Sequence, residues 1–389
     1  MKTEECRKIA NDFGTPVYVF DLESLEKRVS EIRRIADGRF HICYSIKANP
    51  FLVSCMERLV DHLEVCSPGE LAVCEHLNVA PEKILYSGVN KTEADIREAM
   101  TYNVDIFTAE SLLHMELISA EAVRQNKIAK VYPRLSAGSQ FGMSKDDLFM
   151  IIDHPELYPN TEVKGIHYFA GTQRHKAAKM QKELAMLKEF WNELESEHHF
   201  KPEVLEYGPG CYVPMFADED YSDTLKPLRE IADDLAAVSE FADLTIEMGR
   251  FYAAECGTYI TKVMDTKSTK GVSYAIVDGG INHVSYYGGM MGMKCPVIER
   301  ITESEDTETK EWCLCGSLCT TNDILVRGIQ FTGLQRGDLL CFKNIGAYSV
   351  TEGMYLFLSR TMPKVILRNK EGDYEVARDF MESWKINTK

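Results

Sequence analysis

The sequence predicts an α/β protein built from a closed (β/α)8 barrel and a second, β-rich domain. Strand-like and helix-like segments alternate eight times over the first two thirds of the chain, and short strands separated by turn residues follow. A doubly wound open sheet is the competing fold, but no Gly-x-Gly-x-x-Gly turn follows the first barrel strand. We therefore expect the barrel over residues 22–256 and the β domain over residues 1–21 and 257–389.

The predicted barrel starts with an amphipathic helix over residues 22–36, on which Leu25, Val29 and Ile32 share one face. The predicted barrel strands cover residues 40–47, 62–67, 84–88, 104–109, 130–136, 163–171, 204–207 and 244–248. The predicted helices between them cover residues 51–59, 69–77, 91–100, 110–125, 145–153, 176–197 and 222–241. This strict alternation is typical of a parallel barrel.

The β domain is predicted from short apolar runs at residues 259–263, 273–277, 339–342 and 364–367, separated by glycine, charge and turn residues. They indicate a β-sandwich or a β-barrel. A further short strand near Tyr18 precedes the first barrel helix, and we expect it to complete the β domain.

Composition and charge describe a globular protein that binds neither nucleic acid nor membrane. At 389 residues, the chain is longer than a single core usually supports, which favours two domains. The net charge of −16 argues against nucleic acid and anionic lipid as partners, because both require a basic surface. No apolar run could span a bilayer, and the amino terminus lacks the apolar core of a signal peptide, so we expect a cytoplasmic protein.

The twelve cysteines are scattered along the chain and predict reduced thiols in a cytosolic protein. The densest group is Cys313, Cys315 and Cys319. No Cys or His pair at zinc-finger spacing accompanies it, so we expect no metal site.

Lys47 is the first candidate for chemistry. With a period of two, the apolar residues of the segment from Phe40 to Ile46 fall on one face of a strand. The other face carries His41, Cys43, Ser45 and Lys47. A polar face on a barrel strand looks inward onto a ligand site, which makes Lys47 a candidate nucleophile, whereas the plain alternative is a surface lysine at a strand end.

Active sites of such barrels lie at the carboxyl ends of the strands. The candidate residues at these ends are Lys47, Glu64, Ser67, Arg134, Phe169, Thr172, Gly208, Gly210, Glu247 and Arg250. Gly208 and Gly210 let backbone amides approach a ligand, while Thr172 and Arg250 can bind phosphate oxygens. With a lysine to form a Schiff base and Glu247 to hold a pyridine nitrogen protonated, the set predicts a pyridoxal 5'-phosphate (PLP) site.

At these motifs the chain resembles the fold-type III PLP decarboxylases, the family of diaminopimelate, ornithine and arginine decarboxylases with an alanine racemase-like barrel. The matching motifs are Tyr44-Ser45-Ile46-Lys47-Ala48-Asn49, Cys66-Ser67-Pro68-Gly69-Glu70-Leu71, Gln140-Phe141-Gly142, the glycine run from Gly208 to Cys211, and Ile246-Glu247-Met248-Gly249-Arg250. The β domain adds Gly316 to Asp323 and Gly346-Ala347-Tyr348. The resemblance runs over essentially the whole chain.

The resemblance implies roles for individual residues. Lys47, Glu247 and Cys319 would be catalytic, with Cys319 as the acid, and Asp323 and Thr320 would bind substrate. The cofactor would be bound by Lys47, Glu64, Arg134, Phe169, Thr172, Gly208, Gly210, Glu247, Gly249, Arg250 and Tyr348. The family also implies a head-to-tail homodimer, in which each subunit donates its cysteine loop to the barrel of its partner.

Two departures concern the substrate pocket. Phe169 stands where the family usually stacks a histidine on the cofactor ring, and it can stack but cannot titrate. Thr320 replaces the glutamate with which diaminopimelate decarboxylases bind the distal amine of the substrate. We therefore do not expect a substrate with a distal zwitterionic head.

Residues 165–173 and 318–320 resemble a subgroup typified by the glutamyl-carrier-protein decarboxylase of butirosin biosynthesis. The resulting hypothesis is a PLP-dependent decarboxylase of an amino acid or of an aminoacyl group tethered to a carrier protein. The alternatives are a decarboxylase of free diaminopimelate, ornithine or lysine, an amino acid racemase, and a non-catalytic PLP-binding regulator. A racemase would need a second base, and a non-catalytic protein should lack Lys47 or Cys319, both of which are present.

Overall fold

The structure is a computed structural model that describes residues 1–286, 292–302 and 308–389. The chain forms two compact units. The barrel unit consists of Arg28–Val213 and Asp223–Tyr252, and the β unit consists of Met1–Lys27, Pro214–Ser222 and Ala253–Lys389. None of the helices in the described part of the chain is long and apolar enough to cross a bilayer.

The barrel unit is built on parallel strands, which confirms the predicted fold. Its strands are His41–Ser45, His62–Val65, Ile84–Tyr86, Ile106–Ala109, Ala129–Pro133, Thr161–Val163, Gly165–Phe169, Val204–Gly208 and Asp243–Met248. The strand predicted over residues 163–171 corresponds to Gly165–Phe169, and Lys164 alone separates it from the short strand Thr161–Val163, which was not predicted. A bridge between Arg134 and His167 brings Gly165–Phe169 beside the end of Ala129–Pro133 and completes the ring.

The barrel strands alternate with helices. The helices are Leu22–Ala36, Val53–Met56, Pro68–His76, Glu93–Thr101, Leu112–Gln125, Lys145–Asp153, Ala177–Glu197, Lys226–Arg229, Ala232–Ala236 and Arg250–Ala253. Ser67, Thr92, Ser111 and Ser144 each accept a hydrogen bond from the backbone N–H three residues later, so a capping side chain starts each of these four helices.

Two predicted helices are wrong in extent. Residues 222–241 do not form one helix but two short helices and the 3-10 turn Ala237–Glu240. Pro227 explains the late start, because a proline ring excludes a helical turn before it. Residues 51–59 give only the 3-10 turn Pro50–Leu52 and the single α-turn Val53–Met56.

The β unit is a mixed sheet with short helices. Its strands are Val17–Asp21, Gly257–Thr269, Val272–Val277, Ile298–Arg300, Thr309–Cys315, Ile324–Thr332, Leu339–Lys343, Lys364–Arg368 and Tyr374–Arg378, with the separate pair Thr361–Met362 and Met381–Glu382. Val17–Asp21 lies antiparallel to Gly257–Thr269 and parallel to Lys364–Arg368. The amino-terminal strand therefore completes this sheet, as predicted.

The helix Thr3–Phe13 of the β unit was not predicted. It buries Cys6, Ile9 and Ala10 in a core cluster that also contains Val17 and Ile260. These three residues form a narrow apolar face on a mostly polar helix. The helix is therefore stabilised mainly by packing this face on the sheet. The helix Ser349–Glu352 is a single turn later in the same unit.

Candidate active site

Lys47 lies on the 3-10 turn Ile46–Ala48, directly after the strand His41–Ser45. The expectation that the strand continues to Lys47 is wrong. The chain turns early because Asn49 closes the 3-10 turn: its N–H donates to the carbonyl oxygen of Ile46, and its side chain accepts from the N–H of Phe51. Lys47 still emerges at the carboxyl end of its strand, where sites of parallel barrels are built.

The Lys47 ammonium is held by a buried carboxylate. Its Nζ donates to Oε2 of Glu64 at 2.5 Å and lies 3.4 Å from Sγ of Cys66, which in turn donates to Oε1 of Glu64 at 3.1 Å. Burial alone would raise the pKa of the Glu64 carboxyl, but the neighbouring Lys47 ammonium lowers that pKa to about 2. About 40% of the Lys47 side chain remains exposed, so an incoming group can reach the amine.

Arg134 and Glu110 form a second buried ion pair. Nη1 of Arg134 donates to Oε1 of Glu110 at 2.7 Å, and Oε2 of Glu110 accepts the N–H of Gly142 at 2.7 Å. The guanidinium carbon lies 5.0 Å from the ring centre of Phe141 and 5.9 Å from that of Phe169. Burial opposes ionisation of Glu110, but Arg134 outweighs it and keeps the pKa of this carboxyl low. The pair therefore fixes the segment around Phe141 against the mouth of the barrel.

Glu247 lies inside the barrel beside a buried histidine. Nε2 of His167 is 3.4 Å from Oε1 of Glu247, and both side chains are buried. Oε2 of Glu247 has no hydrogen-bond partner among the described residues. A buried, unmatched carboxylate oxygen is costly unless something else satisfies it, so this atom is a position for a donor on a ligand.

Two glycines at and just after the end of the strand Val204–Gly208 leave no room for a side chain. A Cβ on Gly208 would come within 2.2 Å of the Phe169 ring and 2.7 Å of the Glu247 carboxylate. Gly210 has φ +59°, and its Cβ would meet the Gly171 carbonyl oxygen at 1.9 Å. Gly208 therefore keeps the space beside Glu247 open, and Gly210 allows the close approach of the Gly171 backbone.

The three remaining predicted cofactor residues of the barrel unit differ in their exposure to solvent. Thr172 is exposed, while Gly249 and Arg250 are partly buried at the start of the helix Arg250–Ala253. A partly exposed amine, a space bordered by Gly208 and the Phe169 ring, and a buried carboxylate with an oxygen that lacks a donor among the described residues fit PLP, which has an aldehyde, a flat ring and a pyridine nitrogen.

The other predicted residues belong to the β unit. Cys319 is exposed and Thr320 partly exposed. Asp323 is buried, and its two oxygens accept the N–H groups of Ile281 at 2.8 Å and Leu318 at 2.7 Å. The Asp323 carboxylate therefore ties the Cys319 loop to the turn that contains Ile281. Tyr348 precedes the helix Ser349–Glu352 with φ +66°, a conformation that is uncommon for a residue other than glycine.

The structure brings residues into the site that the sequence did not single out for chemistry. They are Cys66, Lys91, Glu110, His167 and Glu206. Lys91 is buried and donates to the Gly88 carbonyl oxygen at 2.6 Å, and burial lowers the pKa of its amine to about 8. A signal for two of them was present, because His167 and Glu206 are titratable residues within otherwise apolar strands.

Comparisons with known proteins identify the family of this chain. The family model described as "Pyridoxal-dependent decarboxylase, pyridoxal binding domain" matches residues 22–254. The L-glutamyl-[BtrI acyl-carrier protein] decarboxylase of Niallia circulans is 29% identical, over 96% of this chain and 93% of that protein. The diaminopimelate decarboxylase of Aquifex aeolicus is 25% identical, over 93% of this chain and 89% of that protein.

A solved structure shares the fold. The diaminopimelate decarboxylase of M. jannaschii in complex with L-lysine superposes with a TM-score of 0.85 at 24% identity, and the match covers 96% of this chain and 91% of that one. At this identity the likeness concerns the fold, and it extends over both units.

The barrel and its lysine–carboxylate site define a PLP enzyme of the barrel class. The chain belongs to the pyridoxal-dependent decarboxylase family, and it is a decarboxylase with PLP as its cofactor.

Proposed function

We propose that the enzyme removes the α-carboxylate of an aminoacyl group that is tethered to a carrier protein. The observation that carries this proposal is the match to the glutamyl-carrier-protein decarboxylase over 96% of the chain. Thr320, next to Cys319, supports it, because a hydroxyl cannot form the ion pair with which a carboxylate would bind a distal amine. A tethered substrate does not need such a charged anchor at its far end.

The residues of the barrel unit have separate tasks in this proposal. Lys47 would hold PLP through its amine, and Glu64 keeps that amine in place. Glu247 would hold the pyridine nitrogen, for which its buried Oε2 lacks a partner among the described residues. PLP, when bound, supplies the electron sink that takes up the electrons of the bond to the departing carboxylate.

We further propose that the active unit is a head-to-tail homodimer. In it, Cys319 of the partner subunit delivers the proton to Cα after the carboxylate has left, and Tyr348 contacts the cofactor phosphate. Cys319 is the most exposed of the twelve cysteines and lies on a loop held by Asp323, which suits a thiol that serves another surface.

A second candidate function is decarboxylation of free diaminopimelate, ornithine or lysine. The diaminopimelate decarboxylases among the relatives favour it. The two candidates differ in the form of the substrate, so a single panel separates them.

The test measures CO2 release from free glutamate, lysine, ornithine and diaminopimelate, and from the same amino acids as thioesters on a carrier protein and on pantetheine. Lys47→Ala is the inactive control, and Lys182→Ala, on the exposed face of the helix Ala177–Glu197, controls for the loss of a lysine. We expect the thioesters to be decarboxylated at least tenfold faster than the free acids. Faster turnover of a free diamino acid contradicts the carrier proposal, and racemisation without CO2 release contradicts both candidates.

A further inference from the structure

A lysine, an arginine and a histidine each contact one carboxylate at the mouth or in the interior of the barrel, and one further carboxylate has no such contact among the described residues. Lys47 pairs with Glu64 at 2.5 Å, Arg134 pairs with Glu110 at 2.7 Å, and His167 lies 3.4 Å from Glu247. Glu206 is fully buried among these groups, and it forms no ion pair within the described part of the chain. Glu206 has no role in the decarboxylation that we propose for this enzyme.

Glu206 lies in register with His167 on the neighbouring strand and with Thr245 on the strand that carries Glu247. The ligand atoms of His167, Glu206 and Glu247 all lie within 4.8 Å of one another. Neither carboxylate oxygen of Glu206 has a hydrogen-bond partner among the described residues, and the same holds for Oε2 of Glu247. Glu206 therefore has two carboxylate oxygens without a partner, and one oxygen of this group lies within 4.8 Å of a carboxylate oxygen of Glu247.

Two ionised carboxylates in this place would repel each other in a medium of low polarity. The other charged or titratable groups that act on Glu206 are Glu64, Lys47, Arg134, Cys43 and Tyr132. The Lys47 ammonium already pairs with Glu64, and the Arg134 guanidinium already pairs with Glu110. Burial, and then the charge of Glu247, raise the pKa of Glu206 well above its usual value.

We propose that Glu206 stays protonated and donates its carboxyl O–H to Glu247, so that Glu247 remains ionised opposite the pyridine nitrogen of the cofactor. A donated hydrogen bond stabilises the anionic form of Glu247 and makes it a weaker competitor for the proton on that nitrogen. Glu206 is thus a positioning residue that acts through Glu247. The proposal concerns cofactor binding and does not depend on which substrate the enzyme takes.

The test compares Glu206→Gln, which keeps a neutral hydrogen-bond donor of the same size, with Glu206→Met, which removes the donor at similar volume. The first measurement is the dissociation constant of PLP by absorbance titration of the apoprotein. We expect Glu206→Gln to bind within about twofold of wild type and Glu206→Met to bind at least tenfold more weakly. Equal loss in both variants contradicts a neutral donor and indicates that the carboxylate itself is required.

The second measurement is the thermal unfolding of the apoproteins between pH 5 and 9. A carboxyl whose folded pKa is raised binds more protons in the folded state, so stability falls as pH rises above the unfolded value, near 4.5, toward the folded pKa. Glutamine lacks this loss, so the melting temperature of Glu206→Gln should exceed that of wild type by a margin that grows with pH. A margin that is flat, negative or shrinking contradicts the proposal, as does a Glu206→Gln protein that fails to fold.

The same three side chains are close enough to share a metal ion. Metal analysis of the purified wild-type protein distinguishes this arrangement, because a proton between Glu206 and Glu247 leaves no place for a cation. One bound metal ion per chain that Glu206→Gln abolishes would overturn the proposal, and we expect none.

Discussion

Nζ of Lys47 donates to Oε2 of Glu64 across 2.5 Å, between a partly exposed amine and a buried carboxylate. The buried partner is the fixed member of this pair, because Glu64 is enclosed on its strand while the lysine stem lies at the mouth of the barrel. The pair explains how an amine on a turn, rather than on the strand itself, is kept in one place.

Removing the charge of Glu64 should lower the free energy of unfolding of the apoprotein, by an amount that depends on pH. Its folded pKa of about 2 lies below the unfolded value of 4.5, so the pair contributes stability above pH 4.5 that is lost as pH falls toward 2. Glu64→Gln should cost on the order of 3 kcal/mol of unfolding free energy near pH 6. Urea unfolding at pH 6 and pH 4 checks this, and a cost that does not shrink at the lower pH would contradict the pairing.

The Arg134–Glu110 pair should show strong coupling in a double-mutant cycle. Arg134→Ala leaves Glu110 as an uncompensated buried charge, which typically costs about 3–5 kcal/mol. Adding Glu110→Ala removes that charge, so the double variant should be more stable than the sum of the two single effects predicts. Additive losses in urea unfolding would mean that the pair contributes little.

A side chain at Gly208 should weaken the binding of the cofactor. The Cβ of Gly208→Ala would meet the Phe169 ring at 2.2 Å and the Glu247 carboxylate at 2.7 Å, both at the site. We expect PLP to bind at least tenfold more weakly by absorbance titration. Gly69→Ala is the matched control, because its Cβ has one neighbour at 3.9 Å and lies in the helix Pro68–His76. Equal effects of the two substitutions would remove Gly208 from the site.

Cys319 should matter for turnover and not for cofactor binding. Cys319→Ala should leave the PLP absorbance in place and lower the rate of CO2 release at least tenfold, because the proton donor to Cα is lost. The control is Cys315→Ala, whose sulfur lies 3.8 Å from that of Cys313 on the strand that leads to the loop. An undiminished rate in Cys319→Ala excludes this thiol as the acid.

The fold could be predicted because each barrel strand is a short apolar run that ends in polar residues, and each alternates with a longer helical pattern. Motif residues such as Lys47, Gly208 and Glu247 could be found because they end these runs. The helix predicted over residues 222–241 begins later than expected because of Pro227, whose effect the apolar spacing does not reveal. A period cannot show where a proline ring excludes a turn.

The partners of the site residues could not be predicted, because they come from different strands. Glu110 looked like the first residue of a helix, whereas the helix begins at Leu112 and leaves Glu110 to bind Arg134. Glu206 sits in a short apolar strand, and only the register of neighbouring strands brings it to His167. The distance between two such side chains depends on the register of neighbouring barrel strands, which the local sequence does not determine.

Lys47 is the residue that we propose to hold the cofactor. Borohydride reduction of the PLP-loaded protein fixes the cofactor to the amine that carries it, and mass spectrometry of the peptides then locates the modified lysine. We expect a single modified peptide containing Lys47 in wild type and in Lys182→Ala, and none in Lys47→Ala. Modification of the buried Lys91 instead, or a modified peptide that persists in Lys47→Ala, would contradict the assignment of Lys47.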